Sequence, residues 1–258
     1  QRYRNGVIME RNSGFLLEPA EKDVNISGSD DLRFFITPAS RDTVYLRVSL
    51  IGESVISDLT FTVSTFDSVF RKDKARRLVF GLFLGIMIIM ILYHIPIYIQ
   101  IREISYLYFI LYIISFTLFF TNKEGYIYEL MPQFTSAPLN TFLQQVFLLM
   151  FVIFGRAYID TAKNLKTWDR ILLIAIGFII AGLMLSFTVI LLSSAGRYIP
   201  YFLQVLMLSM NIISALASMF LVILPAFILK KKRFPPARYF IVANAFLTSA
   251  FVIIFTPK

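Results

Sequence analysis

No cysteine occurs among the 258 residues, and there is one histidine and one tryptophan. Without thiols there is no disulfide framework and no thiolate metal site. A zinc site would have to be built from carboxylates around the single His94, and no ligand-like spacing is present. Glycine-rich phosphate loops, HExxH and GxSxG are missing as well, which removes the commonest nucleotide-binding and hydrolase signatures. The expectation is therefore no enzyme activity, no cofactor and no metal. Charge is also scarce, at 16% of residues, and long stretches carry none.

What fills the chain instead is apolar length. Hydrophobic residues make up 57% and the mean hydropathy is +0.72, against roughly 45–50% apolar residues in soluble domains. Six runs stand out, at about 78–101, 104–122, 139–158, 171–193, 200–229 and 239–256. A 20-residue helix covers about 30 Å, the thickness of a hydrocarbon core. Six membrane spans are predicted, and the lipid bilayer is the first partner. None contains Asp, Glu, Lys or Arg away from its ends. Ion-coupled transporters usually carry such groups inside the membrane. A transporter or channel for a neutral solute is the alternative that remains.

The net charge of +9 does not point to nucleic acid, because the basic residues cluster beside the spans. Arg102, Arg156, Lys163, Lys166, Arg170, Lys230, Lys231, Lys232, Arg233 and Arg238 fall in connections on one side. The opposite connections offer Lys123 and Arg197. The positive-inside rule puts the basic side in the cytoplasm and residues 1–77 outside. Arg71, Lys72, Lys74, Arg76 and Arg77 run against the rule. An exported upstream domain would override them. Arg102–Glu103 interrupts 45 apolar residues, which as one helix would reach about 68 Å. The pair is expected to be the tip of a helical hairpin.

Residues 1–70 read differently. RFFITP, TVYLRVSL and LTFTVSTF are short β-prone runs separated by the turn-like SGSDD, PASRD and IGES. The expected fold is mixed: a partial extracellular β-sandwich at 1–70, a charged juxtamembrane linker at 71–77, and an all-α transmembrane bundle at 78–258. The start lacks an initiator Met and an apolar leader, and FVIIFTPK ends at the edge of an apolar run. The expectation is a piece of a longer protein.

Several linked stretches carry a resemblance. GLFLGIMIIMILYHIPIYIQIREISYLYFILYIISF resembles the first two transmembrane helices, with their tight turn, of the bacterial seven-transmembrane receptors with diverse intracellular signalling modules. NKEGYIYELMP resembles their next outer loop, and TVYLRVSLIGESVISDLTFTVSTFDSVF the closing strands of their second type of extracellular domain. The resemblance implies a jelly-roll, carbohydrate-binding-like sensor and residence in the bacterial inner membrane. It also implies an external small-molecule or carbohydrate ligand. A cytoplasmic histidine kinase, diguanylate cyclase or phosphatase would be attached in cis. On this reading the chain is the membrane core of a signalling receptor.

Within the spans the polar residues are few. His94 lies two residues before Pro96 and is expected to hydrogen-bond a neighbouring helix. Gln144, Gln145 and Asn211 lie deeper and should face the bundle, as helix–helix hydrogen bonds or the lining of a small cavity. Gly81 with Gly85, and Ser214 with Ser218, permit close helix approach within the monomer or across a homodimer. Glu124 is expected in a solvated outer loop.

Overall fold

The computed structural model describes residues 2–4, 7–9, 43–44, 64–127, 137–195 and 199–231. Three short strands, β1 (Arg2–Arg4), β2 (Val7–Met9) and β3 (Thr43–Val44), form an antiparallel sheet in the order β2-β1-β3. β3 falls at the head of TVYLRVSL. The β1–β2 hairpin was not expected from its composition. Most of the predicted β-sandwich, and the sixth apolar run at 239–256, lie outside the described residues.

The rest is helical: α1 (Phe66–Ile101), α2 (Ile104–Lys123), α3 (Ala137–Ile159), α4 (Thr161–Asn164), α5 (Lys166–Ser194) and α6 (Tyr201–Lys231). Among the described residues, five helices are long and apolar enough to cross a membrane: α1, α2, α3, α5 and α6. Leu82, Ile89, Ile174, Phe202 and Phe220 are each at least 63% exposed. Large aliphatic and aromatic groups in that number, turned outward along whole helices, are accepted by hydrocarbon and not by water. The chain is a multi-pass membrane protein.

One expectation about boundaries is corrected. The juxtamembrane segment 71–77 is not a separate linker, because α1 starts at Phe66 and runs through it. The Thr65 carbonyl accepts from the Ser68 hydroxyl at 2.7 Å and from two backbone N–H groups. Asp67 sits in the first turn, where a carboxylate complements the helix dipole. Asp73 then pairs with Arg77 one turn on, at 2.8 Å. The connection between α3 and α5 is largely helical. It holds the end of α3, the four-residue α4 and the first turn of α5. Lys163 therefore lies on α4, while Lys166, Trp168 and Arg170 lie on α5. Lys230 and Lys231 close α6, and Lys232 and Arg233 lie outside the described residues.

The chain divides into two compact units, Gln1–Gly85 with Thr121–Thr135, and Ile86–Phe120 with Ser136–Lys258. In the first, α1 is fastened to the segment after α2. Arg76 Nε donates to Glu124 Oε2 at 2.8 Å and its Nη2 to the Glu124 carbonyl at 3.2 Å. One turn along, Phe80 stacks on Tyr126 with ring centroids 4.0 Å apart. Burial pushes the Tyr126 hydroxyl up from its ordinary range, against the opposing pull of Arg76 and Arg77. Glu124 is thus an ion-pair partner rather than a solvated loop residue.

In the second unit, α1 ends at Ile101 and α2 begins at Ile104. Arg102 sits between them in the left-handed region, φ 55°, and its N–H donates to the Tyr98 carbonyl at 2.8 Å. Glu103 accepts from the Ser105 hydroxyl at 2.9 Å. Both charged residues are exposed. The hairpin tip is therefore where the sequence puts it, although glycine, which pays no Cβ penalty, is the usual residue at that φ. α2 meets α3 through aromatic rings, Phe109 on Phe154 and Tyr112, Phe116 and Phe119 around Phe147, with centroids 5.1–5.9 Å apart. Such offset pairs add about 0.5–1.5 kcal/mol each beyond the area they bury.

Candidate functional site: a polar layer between three helices

α3, α5 and α6 pack on one another. The buried positions show why. On α3 they include Thr141, Gln145, Leu148, Val152 and Ile159, and on α5 Leu172, Ile179, Gly182, Ser186 and Val189. On α6 they include Met207, Asn211, Ser214, Ser218, Val222 and Pro225. Steps of three and four keep each set on one helix face. The seams carry apolar residues on both sides of their centre, apart from Thr141 near the start of α3. The middle is polar.

Three of the polar residues lie at similar distances from one end of their helices, and Ser214 lies about one turn further along α6 than Asn211. Gln145 lies eight residues into α3, Ser186 eight before the end of α5, and Asn211 ten into α6. At 1.5 Å per residue these are about 12, 12 and 15 Å from the same end of the bundle, close to the middle of a 30 Å core. Asn211 Nδ2 donates to Gln144 Oε1 at 3.1 Å, tying α6 to α3. Gln145 lies against α5 at Gly182, where a Cβ would come within 3.1 Å of Gln145 Nε2 and 3.3 Å of its carboxamide carbon. The missing side chain at Gly182 makes room for the amide. The Ser218 hydroxyl donates to the Ser214 carbonyl, an internal bond that lets α6 bury a serine without an outside partner.

Five atoms of this layer have no hydrogen-bond partner among the described residues: Gln145 Nε2 and Oε1, Ser186 Oγ, Asn211 Oδ1 and Ser214 Oγ. Gln145, Ser186 and Ser214 are each 0% exposed. An unmade buried hydrogen bond costs about 1–3 kcal/mol, and lipid chains offer no remedy. The layer is electrically neutral, so its chemistry is hydrogen bonding.

The predicted positions separate accordingly. Gln144 and Asn211 are brought together, Gln145 is beside them, and Ser214 is on the same seam. His94 is elsewhere. Its Nδ1–H donates to the Met90 carbonyl of its own helix at 2.7 Å, not to a neighbouring helix as expected. The i−4 carbonyl is within reach, and the residues facing it on α2 are aromatic. The ring packs on Phe109 at 4.6 Å. Gly81 and Gly85 meet nothing within 4 Å of where a Cβ would be, so among the described residues the GxxxG pair marks no close helix contact. Glycines at spacing four are frequent in spans, and the spacing alone does not say which face meets a partner.

A second constellation went unforeseen. Arg156 grips Asp169 with two bonds, Nε to Oδ1 at 2.7 Å and Nη2 to Oδ2 at 3.1 Å. The buried Thr161 hydroxyl donates to the same Oδ1 at 2.9 Å. Asp160, at φ 50°, turns the chain between α3 and α4, and Asn164 Nδ2 closes the turn on the Ile159 and Asp160 carbonyls at 3.1 Å. Asp160 also holds the Lys163 ammonium at 2.8 Å, which raises the lysine from its ordinary value. Asp169 stands 13 residues from Arg156 in the sequence, so only the turn at Asp160 brings the two together. For Gly182 and Ser186 the available signal was their spacing of four on one apolar helix.

Among the described residues no group of three or more His, Cys, Asp or Glu could hold a metal ion. No curated protein and no solved structure matches the chain. A family model, described as 7TM diverse intracellular signalling, matches residues 76–256. That interval takes in the five membrane-length helices almost whole, together with the hairpin tip at Arg102, the polar layer and the Arg156–Asp169 corner, and the chain belongs to this 7TM diverse intracellular signalling family.

Proposed function

We propose that this chain is the membrane core of a bacterial signalling receptor. It relays ligand binding at an extracytoplasmic sensor, at its N-terminal side, to a cytoplasmic module in cis, a kinase, cyclase or phosphatase. The family match over residues 76–256 carries this reading. Its physical vehicle is α1, 36 residues without a break from Phe66 to Ile101. At one end stands the Arg76–Glu124 ion pair, and at the other the exposed Arg102–Glu103 turn. A ligand that favours one placement of α1 over another biases the packing of the bundle and so the output.

The absence of cysteine makes a direct test simple. A single Arg102→Cys substitution, labelled with an environment-sensitive fluorophore in lipid nanodiscs, reports on the cytoplasmic turn. Adding Glu124→Gln weakens the pair at the far end of α1. Relay predicts a shifted emission at position 102. Emission unchanged by Glu124→Gln contradicts it. Facilitated uptake of a neutral solute into proteoliposomes would favour a transporter instead.

A further inference from the structure

The orphaned atoms at the centre of the α3–α5–α6 seam define the chemistry of what satisfies them. Gln145 brings two N–H donors and an acceptor, Asn211 Oδ1 an acceptor, and the Ser186 and Ser214 hydroxyls serve as either. Among the described residues no charged side chain lies on the three seams at this level. The neighbours are Leu148 and Val152 on α3, Ile179 and Val189 on α5, and Met207 on α6. An occupant must therefore be neutral, able to donate and accept at once, and small. Water meets all three conditions, and buried waters typically make about three hydrogen bonds to such groups.

We propose that the layer is an internal hydration site. Water molecules bridge Gln145 to the hydroxyls of Ser186 and Ser214 and to Asn211 Oδ1, beside the direct Asn211–Gln144 bond. The side chains are sealed in the packing described, with Gln145, Ser186 and Ser214 all at 0% exposure. Water enters as the helices part, so hydration and helix separation are coupled at this level. Gly182 borders the site: the Gln145 carboxamide occupies the space that a Cβ there would need. The site does not depend on the receptor reading, and a hydrated layer would stand if that reading failed.

X-ray radiolytic footprinting of the full chain in lipid nanodiscs tests it. Hydroxyl radicals formed from bound water mark the side chains beside it. Leu148, one turn from Gln145, and Leu172, on α5 far from the layer, are both buried leucines. Hydration predicts that Leu148 is labelled several-fold faster than Leu172. It also predicts that Gln145→Leu with Ser214→Ala abolishes the excess while helical content by circular dichroism is kept. Equal labelling of the two leucines in the unsubstituted protein overturns the proposal, and so does an excess that survives in the folded double variant. If the double variant does not fold, the comparison in the unsubstituted protein decides alone.

Discussion

Of Gly81, Gly85, Gly177 and Gly182, only Gly182 has a neighbour where a Cβ would stand. A methyl group there would press on the Gln145 carboxamide at 3.1 Å, and Gln145 is sealed on every side. Overpacking of this kind costs about 1–3 kcal/mol. Gly182→Ala should lower the thermal midpoint in nanodiscs. Gly81→Ala or Gly85→Ala, with nothing within 4 Å, should raise stability by about 0.5–1 kcal/mol through helix propensity. Destabilisation of equal size at all three glycines would contradict this assignment. At the α3–α5 corner, Asp169→Asn leaves the Arg156 guanidinium without its charged partner. A loss of about 1–3 kcal/mol is expected by the same assay. Lys163→Ala removes an ion pair whose lysine is 83% exposed and should leave the midpoint where it was.

At the scale of elements, the spans were legible because lipid imposes a length. A run of about 20 uncharged residues has few other uses, and α2, at Ile104–Lys123, lies within a residue of its apolar run. The Arg102–Glu103 turn was legible for a related reason: a charged pair inside 45 apolar residues has to reach water. Helix starts were not legible where charge and helix coexist. Lipid thickness does not limit a helix on the aqueous side, so α1 extends 12 residues before the apolar run begins at Leu78. In the polar layer, Gln144, Gln145 and Asn211 announced themselves as amides among apolar residues. Ser186 and Gly182 did not, since their part depends on which face of α5 meets α3. The Arg156–Asp169 pair spans a connection whose geometry turns on Asp160 adopting φ 50°, a conformation that sequence seldom declares.

On the scale of the whole molecule, orientation and relay are the two matters at stake. On the proposed orientation Arg102 and Lys163 face the cytoplasm and Gly125 the outside. In this cysteine-free chain, a Gly125→Cys variant should react with a membrane-impermeant maleimide in intact spheroplasts. Arg102→Cys and Lys163→Cys should react only after permeabilisation. The reverse pattern would invert the topology.

Relay is the central claim, and α1 is continuous from Phe66 to Ile101. One alanine inserted between Lys74 and Ala75 rotates everything upstream by about 100°, whereas seven residues restore the phase to within about 20°. A diguanylate cyclase inserted between Lys231 and Arg238, in the predicted cytoplasmic connection, converts bundle state into a measured product. Relay through α1 predicts that one added residue changes the cyclic dinucleotide level several-fold and that seven return it towards the starting value. A level indifferent to both insertions, with the protein equally abundant in the membrane, would contradict the claim that this chain transmits a signal.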